Sequence, residues 1–187
     1  MIAYKGFDPG LVCRGYQFHV GLNTTAKANC AHNGFHCAAN PLDCLTYYLD
    51  MSKAEYWIVD AGGDVDEDAL DSKISCTELT VLHRLSLKEF VVHALAYMHD
   101  HPLLKVNHQH VESDFGVAKN GFVIVRGVDP RAKGNIGDVL AMAKENPATG
   151  RIEQIAYAEV DGGNTRPGVW YDVEFRQCGS PMPARSA

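Results

Sequence analysis

The stretch Gly34 to Tyr48, GFHCAANPLDCLTYY, contains the densest group of reactive side-chain types in the chain. It has a histidine and a cysteine side by side at positions 36 and 37, a second cysteine at 44 and a pair of tyrosines at its end. These types allow three assignments. They are a metal site built from histidine and cysteine, a nucleophilic thiol beside a histidine, and a structural corner in which the thiols pack as small apolar groups.

The spacing of the candidate ligands argues against a metal site. A structural zinc site needs four converging ligands, usually supplied as two short-spaced pairs. Cys30 and His32 are separated by one residue, and His36 and Cys37 are adjacent, so neither pair has that spacing. The acidic stretch 64–72 begins like a calcium-binding loop but lacks the glycine and the glutamate at the sixth and twelfth positions. We therefore expect no bound metal and no cofactor.

A nucleophilic thiol is the second assignment, and Cys37 is its best candidate. Reactive cysteines lie in electropositive, partly exposed places, often at the start of a helix. Cys37 precedes a helix predicted from Pro41, and Arg14 would lie close if the neighbouring strands pair. The other candidates are Cys13 and Cys44, with His19 or His36 as the base.

Structural signals account for much of the same stretch. Asn40 is a predicted N-cap, and Pro41 occupies the first position of a helix that is expected to end near Asp50. We therefore favour the interpretation in which His36 holds this corner in place rather than facing a pocket with Arg14.

The hydrophobic patterns predict the elements that position these residues. Alternation predicts strands at 3–7, 11–21, 55–63 and 73–85. The S-x-x-E sequence at 86–89 predicts a capping box that begins a helix over about 87–99. Further strands are predicted at 121–127, 138–146, 151–162 and 168–177, separated by turns.

The predicted fold class is α+β, with a mixed strand and helix domain over 1–100 and a β-rich domain over 101–187. The second domain is expected to form a mostly antiparallel β meander with an extended C-terminal tail.

The charge of the chain excludes two classes of partner. The 187 residues carry a net charge of −6, and the 17 lysines and arginines are scattered. Proteins that bind nucleic acids or anionic membranes carry clustered basic residues, so we expect neither partner. The N-terminal sequence lacks the apolar region and cleavage site of a signal peptide. We therefore expect no secretion by that route, and the six cysteines are expected to be free thiols.

Several short motifs resemble an uncharacterised domain family found in phages and prophages. These motifs are YKGFD at 4–8, CRGYQF at 13–18, GFH at 34–36, NPLD at 40–43 and the tyrosine pair at 47–48. The resemblance covers about residues 3–90, and a segment from about 131 to 171 is similar to the end of such proteins. Relatives carry a repeat array rich in glycine and serine between the two parts, which is reduced here to about SDFGVAKNGFVIVRG. The resemblance implies a phage-encoded protein and implies no activity.

The order of elements is also similar to that of ADP-ribosyltransferase-like folds. Those folds place an arginine or histidine on an early strand, an aromatic motif on a second strand and a tyrosine near the end of a small helix. Arg14, His36 and Tyr48 follow this order, and Glu78 on a later strand is the candidate for the catalytic glutamate. This similarity implies an NAD-using enzyme with these four catalytic residues, and it leaves the residues that would bind the cofactor unassigned.

The absence of any established catalytic motif favours a non-catalytic role, although the sequence does not decide whether the protein is an enzyme. We expect a phage-encoded virion-associated or accessory protein with structural and interaction roles. Its expected partners are proteins, either other copies of itself or neighbours in the virion, and its expected location is the virion or the host cytoplasm. The alternatives are the NAD-using enzyme and an intracellular inhibitor or sequestering protein that acts on host defence.

Overall fold

The computed structural model describes residues 1–29, 32–48, 50, 52–67, 72–104 and 109–180. Cys30, His108, part of the acidic loop and the C-terminal tail from 181 onward lie outside the described residues. The described part of the chain is mostly β, with 51% of the described residues in strands and 12% in helices. The predicted α+β class is therefore corrected to a largely β fold, because the helical content is low beside that of the long strands.

The chain divides into two compact units, Met1–Phe90 and Val91–Ala187, whereas the sequence predicted a boundary near residue 100. In the first unit, the strands are β1 Ile2–Phe7, β2 Val12–Cys13, β3 Tyr16–Gln17, β4 Gly21–Thr24, β5 Phe35–Ala38, β6 Glu55–Glu67 and β7 Lys73–Leu85. Five of these strands form an antiparallel sheet in the order β4-β7-β5-β1-β6. Because β6 also pairs with β7, strands β1, β5, β7 and β6 form a closed ring.

Strand β1 lies between β5 and β6 in this sheet and sends alternate side chains into the core. Ala3 and Phe7 are fully buried, and Lys5, which lies between them on the same face, is only 5% exposed. Phe7 packs edge-on against Phe18, with ring centroids 5.2 Å apart, and Phe18 packs against Phe35 at 4.8 Å. A lysine side chain therefore enters an aromatic core.

The predicted strand at 11–21 is wrong, because this segment is a hairpin of β2 and β3. Cys13 pairs with Tyr16, and the two residues between them have positive φ angles, 48° at Arg14 and 79° at Gly15. A two-residue turn with both φ angles positive is the type I′ turn, which matches the twist of the strands it joins. The turn puts Arg14 at the tip of the hairpin.

The predicted helix from Pro41 to Asp50 is a 3₁₀ helix, Pro41–Thr46. Its predicted N-cap is confirmed, because the Asn40 side chain accepts a hydrogen bond from the Leu42 amide at 3.1 Å. Asp43 accepts a hydrogen bond from the Ser72 hydroxyl at 2.5 Å. This bond ties the helix to the start of β7.

The second predicted helix is confirmed as α1, Leu87–Asp100. In its capping box, the Ser86 amide donates to the Glu89 carboxylate at 2.8 Å and the Glu89 amide donates to the Ser86 hydroxyl at 3.3 Å. Over the described ranges, no helix has the length and apolar character needed to cross a bilayer.

In the second unit, the strands are β8 Glu112–Val117, β9 Phe122–Lys133, β10 Val139–Glu145, β11 Ile152–Glu159, β12 Trp170–Tyr171 and β13 Gln177–Cys178. They form one sheet in the order β11-β10-β9-β12-β13, with β8 paired to β9. The β10–β11 hairpin is antiparallel as predicted. However, β9 runs parallel to both β8 and β10, which corrects the expected antiparallel meander. The alternation of side chains predicts a strand but not the direction of its neighbour.

Candidate functional site

The Lys5 ammonium group lies at the centre of the candidate site. Its Nζ donates a hydrogen bond to the His36 carbonyl oxygen at 2.6 Å and lies 3.6 Å from the Cys13 Sγ. The same nitrogen lies 5.2 Å from the ring centroid of Phe7 and 5.3 Å from that of Phe18. Cations at this distance are attracted to the negative faces of aromatic rings.

No carboxylate pairs with Lys5 in the part of the chain that the structure describes. Buried charges are usually compensated by an opposite charge. Here a carbonyl dipole, a sulfur atom and two aromatic rings surround the cation instead. Lys5 is therefore a buried cationic side chain with no carboxylate partner among the described residues.

The Cys13 thiol joins Lys5 to Tyr48. Its sulfur is half-buried and also accepts a hydrogen bond from the Tyr48 hydroxyl at 3.2 Å. Burial and this bond to Cys13 raise the pKa of Tyr48 well above its ordinary value, so the phenol stays protonated and remains a donor. A Cβ atom at Gly6 would lie 2.5 Å from Cδ2 of Tyr48. Only glycine at position 6 leaves room for this ring.

The His36 ring lies beside the same group. His36 pairs with Ser75 across β5 and β7, and its Nε2 is buried without a hydrogen-bond partner among the described residues. Burial lowers the pKa of His36, and the charges of Lys5, Arg14 and Lys73 lower it further. The ring is therefore neutral near pH 7, and its Nε2 is buried.

Arg14 supplies an exposed cation at the tip of the β2–β3 hairpin. Its charge acts on both His36 and Tyr48. Within the described residues, its guanidinium group forms no hydrogen bond or ion pair. Three of the four residues singled out from the sequence, Arg14, His36 and Tyr48, thus lie around Cys13 and Lys5.

Glu78, the fourth residue, has different neighbours. It is exposed on β7, where it pairs with Thr24 on one side and Gly62 on the other. Its carboxylate lies against this glycine, with Oε2 3.8 Å from the position of an added Cβ. The residue of β7 that pairs with His36 is Ser75, three positions earlier in the chain.

The other described thiols of the first unit are less suited than Cys13 to act as nucleophiles. Cys37, the favoured nucleophile from the sequence, is buried, and a hydrogen bond to the Cys76 thiol together with burial raises its pKa well above the ordinary value. Burial also raises the pKa of Cys44 to about 12. Reactive thiols need a low pKa and access to reagents. Among the described thiols of this unit, Cys13 is half-buried while the others are buried, and it has the Lys5 ammonium group as a neighbour.

A surface cleft of about 440 Å³ lies elsewhere in the first unit, between the start of β6 and the end of β7. Its charged groups already have partners. Arg84 lies 3.5 Å from Glu55, and Glu89 accepts a hydrogen bond from the Ser86 amide in the capping box. We therefore assign this cleft a structural role.

Within the described residues, no group of three or more His, Cys, Asp or Glu side chains is arranged to hold a metal ion. The donors nearest to Cys13 are the Lys5 ammonium group and the Tyr48 hydroxyl group, which suit an anion, and the Asp8 carboxylate also acts on Tyr48. Lys5 was missed at the sequence level, and the signal that would have found it is the alternation Ala3, Lys5, Phe7, which puts a lysine on the inward face of a strand.

Residues 1–93 match the sequence profile of a family described as Domain of unknown function (DUF7666). No curated protein and no solved structure shows a significant match to the chain.

Proposed function

We propose that this chain, which over its first 93 residues belongs to the DUF7666 family of domains of unknown function, is a non-catalytic binding protein for a phosphate-bearing anion. The observation that carries the proposal is the electrostatic environment of His36. Burial lowers its pKa most, Lys5, Arg14 and Lys73 lower it further, and no carboxylate is among the described groups that act on it.

This local positive charge stands out in a chain whose net charge is −6. A cluster of like charges destabilises a fold unless a counter-ion offsets it. A phosphate group carries more charge than a carboxylate at neutral pH, so it compensates Lys5 and Arg14 together better than a carboxylate would. The ligand class that fits is a phosphate ester or a pyrophosphate.

Each group has a distinct role in this proposal. The Arg14 guanidinium has its donors free among the described residues, and its planar fork suits two phosphate oxygens. His36 is neutral and its Nε2 is buried, so its part is to sense the charge of the bound anion rather than to contact it. Lys5 contributes a buried charge behind these donors, where solvent screens it little.

The test is calorimetric titration of the full chain with inorganic pyrophosphate, using Arg14→Ser as the variant. Because charge-assisted hydrogen bonds contribute about 1.5–3 kcal/mol, we expect Arg14→Ser to weaken binding about tenfold or more. Arg84→Ser is the matched control, since it removes an exposed arginine that already pairs with Glu55. Equal weakening by both variants, or no binding by the wild type, would refute the proposal.

The broader role, a phage-encoded accessory or virion-associated protein with protein partners, remains part of the proposal. The family resemblance supports it. A further support is strand β11, which forms an edge of its sheet among the described strands and exposes Ile155 and Tyr157 to 39% and 43%. Edge strands with apolar side chains offer a surface for pairing with another chain.

An NAD-using enzyme is the second candidate, because the same cations would accept the pyrophosphate of a dinucleotide. Its weakness is Glu78, whose neighbours are Thr24 and Gly62 rather than the cationic group. Incubation with NAD and detection of free nicotinamide separates the two candidates. We expect no release above a protein-free control, and release that Glu78→Gln abolishes would favour the enzyme.

A further inference from the structure

We propose that Cys13 is a peroxide-reactive thiol whose oxidation yields a covalent S–N bond to the side chain of Lys5. The cysteine is not an isolated thiol, because a lysine nitrogen and a tyrosine hydroxyl group both point at its sulfur. The product is an intramolecular cross-link between β1 and β2, and its formation does not depend on the proposed anion binding.

The geometry meets the requirements of such a site. Cys13 is half-buried, which leaves part of the residue exposed to small reagents such as hydrogen peroxide. The Lys5 nitrogen is held 3.6 Å from that sulfur, and Lys5 is only 5% exposed. No second thiol is shown in contact with Cys13 among the described residues. Cys37 and Cys76 are free thiols that form a hydrogen bond with each other. The nucleophile nearest to an oxidised Cys13 is therefore an amine.

The reaction proceeds in two balanced steps. First, the sulfur attacks one oxygen of hydrogen peroxide, so that an S–O bond forms, the O–O bond breaks and water leaves. The resulting sulfenic acid then reacts with the Lys5 amine after the ammonium has released a proton to solvent. The N–S bond forms, the S–O bond breaks and the hydroxyl group leaves as a second water. In sum, one thiol, one amine and one peroxide give one sulfenamide and two waters, with the sulfur oxidised and the peroxide reduced.

Tyr48 has a definite part in the second step. Its phenol is protonated and donates to the Cys13 sulfur at 3.2 Å, so it is placed to donate to the hydroxyl group that leaves this sulfur. The protein thus holds the electrophile, the nucleophile and a proton donor together.

Cross-linking would also change the anion site, and this consequence does rest on the proposed function. A sulfenamide nitrogen is not a cation, so the reaction removes the buried charge of Lys5 and leaves one N–H in place of the ammonium group that bonds the His36 carbonyl. Oxidation would then weaken pyrophosphate binding, and a thiol reductant would restore it.

The test is peptide mapping of the full chain after treatment with hydrogen peroxide in native buffer, followed by denaturation, alkylation and trypsin digestion. A bond to Lys5 blocks cleavage after that residue, so we expect residues 1–14, MIAYKGFDPGLVCR, as one looped peptide. Its mass should be lower by two hydrogens than that of the linear peptide, and dithiothreitol should return the two normal fragments. A native protein that yields only Cys13 oxygen adducts, or an unmodified Cys13, overturns the proposal.

Three controls make the result specific. Lys5→Arg keeps the positive charge but has no nucleophilic amine, so its Cys13 should give a sulfenic acid trapped by dimedone and no loop. Cys178 is the internal control, because it is also half-buried and has Arg131 rather than a lysine among its charged neighbours. Urea-unfolded wild type should form no loop, and equal loop formation there would overturn the proposal. If circular dichroism shows that Lys5→Arg does not fold, the comparison of native with urea-unfolded wild type still decides whether loop formation depends on the native contact.

Discussion

Lys5 shows how a single buried charge organises its neighbours. Its ammonium group fixes the His36 carbonyl, contacts the Cys13 sulfur and lies over two phenylalanine rings. Burial is the main cause of the lowered pKa of His36, and the charge of Lys5 lowers it further. One side chain thus contacts the thiol and also acts on the protonation of the histidine.

The depressed pKa of His36 makes the stability of the fold depend on pH. The unfolded chain has a histidine pKa near 6.5, and burial with three nearby cations lowers it in the folded state. Since the unfolded state binds the proton first as pH falls, the stabilising contribution is complete above pH 6.5 and is lost below it. We expect the melting temperature to fall more between pH 7 and pH 5.5 in the wild type than in His36→Gln. Parallel curves for the two proteins would show that His36 is not responsible.

The sequence identified three residues of the site but not its centre. Arg14, His36 and Tyr48 were selected by residue type and order, and the structure brings them around Cys13. Lys5 was not selected, because lysines are almost never fully buried and its inward direction is visible only in the alternation with Ala3 and Phe7. The contact between these residues depends on which strands pair, and strand pairing joins positions far apart in the chain.

At the scale of the element, local signals were the most reliable. The capping box at Ser86 and the N-cap at Asn40 both form as predicted, because each joins residues within one helical turn. The strand Lys73–Leu85 also has the predicted bounds. The β2–β3 hairpin was missed, since the glycine of its turn follows an arginine rather than the asparagine or aspartate usual for a type I′ turn.

The hairpin turn gives a prediction about Gly15. Its φ of +79° favours glycine, and a Cβ there would have no atom within 4 Å, so the cost of a side chain is in the backbone alone. We expect Gly15→Ala to lower the free energy of unfolding by about 1–2 kcal/mol and to speed the reaction of Cys13 with a thiol reagent. Chemical denaturation and labelling kinetics measure the two effects.

Gly179→Ala is the matched control for this prediction. Gly179 also has no atom within 4 Å of an added Cβ, but its φ is not positive. A similar loss of stability in both variants would mean that the turn conformation is not the cause.

At the scale of the whole molecule, two compact units each have a core of their own. Each unit also contains one of the two tryptophans, Trp57 in the first and Trp170 in the second. A Trp57→Phe background therefore reports on the second unit alone by fluorescence.

Arg126 is the residue on which we expect the second unit to depend most. Its side chain is 9% exposed, pairs with Glu145 and donates to the Pro102 carbonyl at 2.6 Å. Breaking a buried ion pair costs about 3–5 kcal/mol, and the 27% exposure of Glu145 reduces that cost. In the Trp57→Phe background, we expect Arg126→Met to lower the free energy of unfolding by about 2 kcal/mol or more.

Arg131→Met, on the same strand, is the control for Arg126. Arg131 pairs with Asp129 on the surface, and exposed pairs contribute about 0–1 kcal/mol. Equal effects of the two variants on the Trp170 transition would refute the structural role given to Arg126.

The most direct test of the anion site is the titration of the His36 ring by NMR, with and without inorganic pyrophosphate. The resonance is assigned from its loss in His36→Gln, and sodium chloride keeps the ionic strength equal. We expect pyrophosphate to raise the pKa of His36, because the bound anion offsets the charges of Lys5, Arg14 and Lys73. The ring resonances of His83, which is exposed beside Glu89, should not move when pyrophosphate is added. A pKa of His36 that stays unchanged at saturating pyrophosphate would contradict the account.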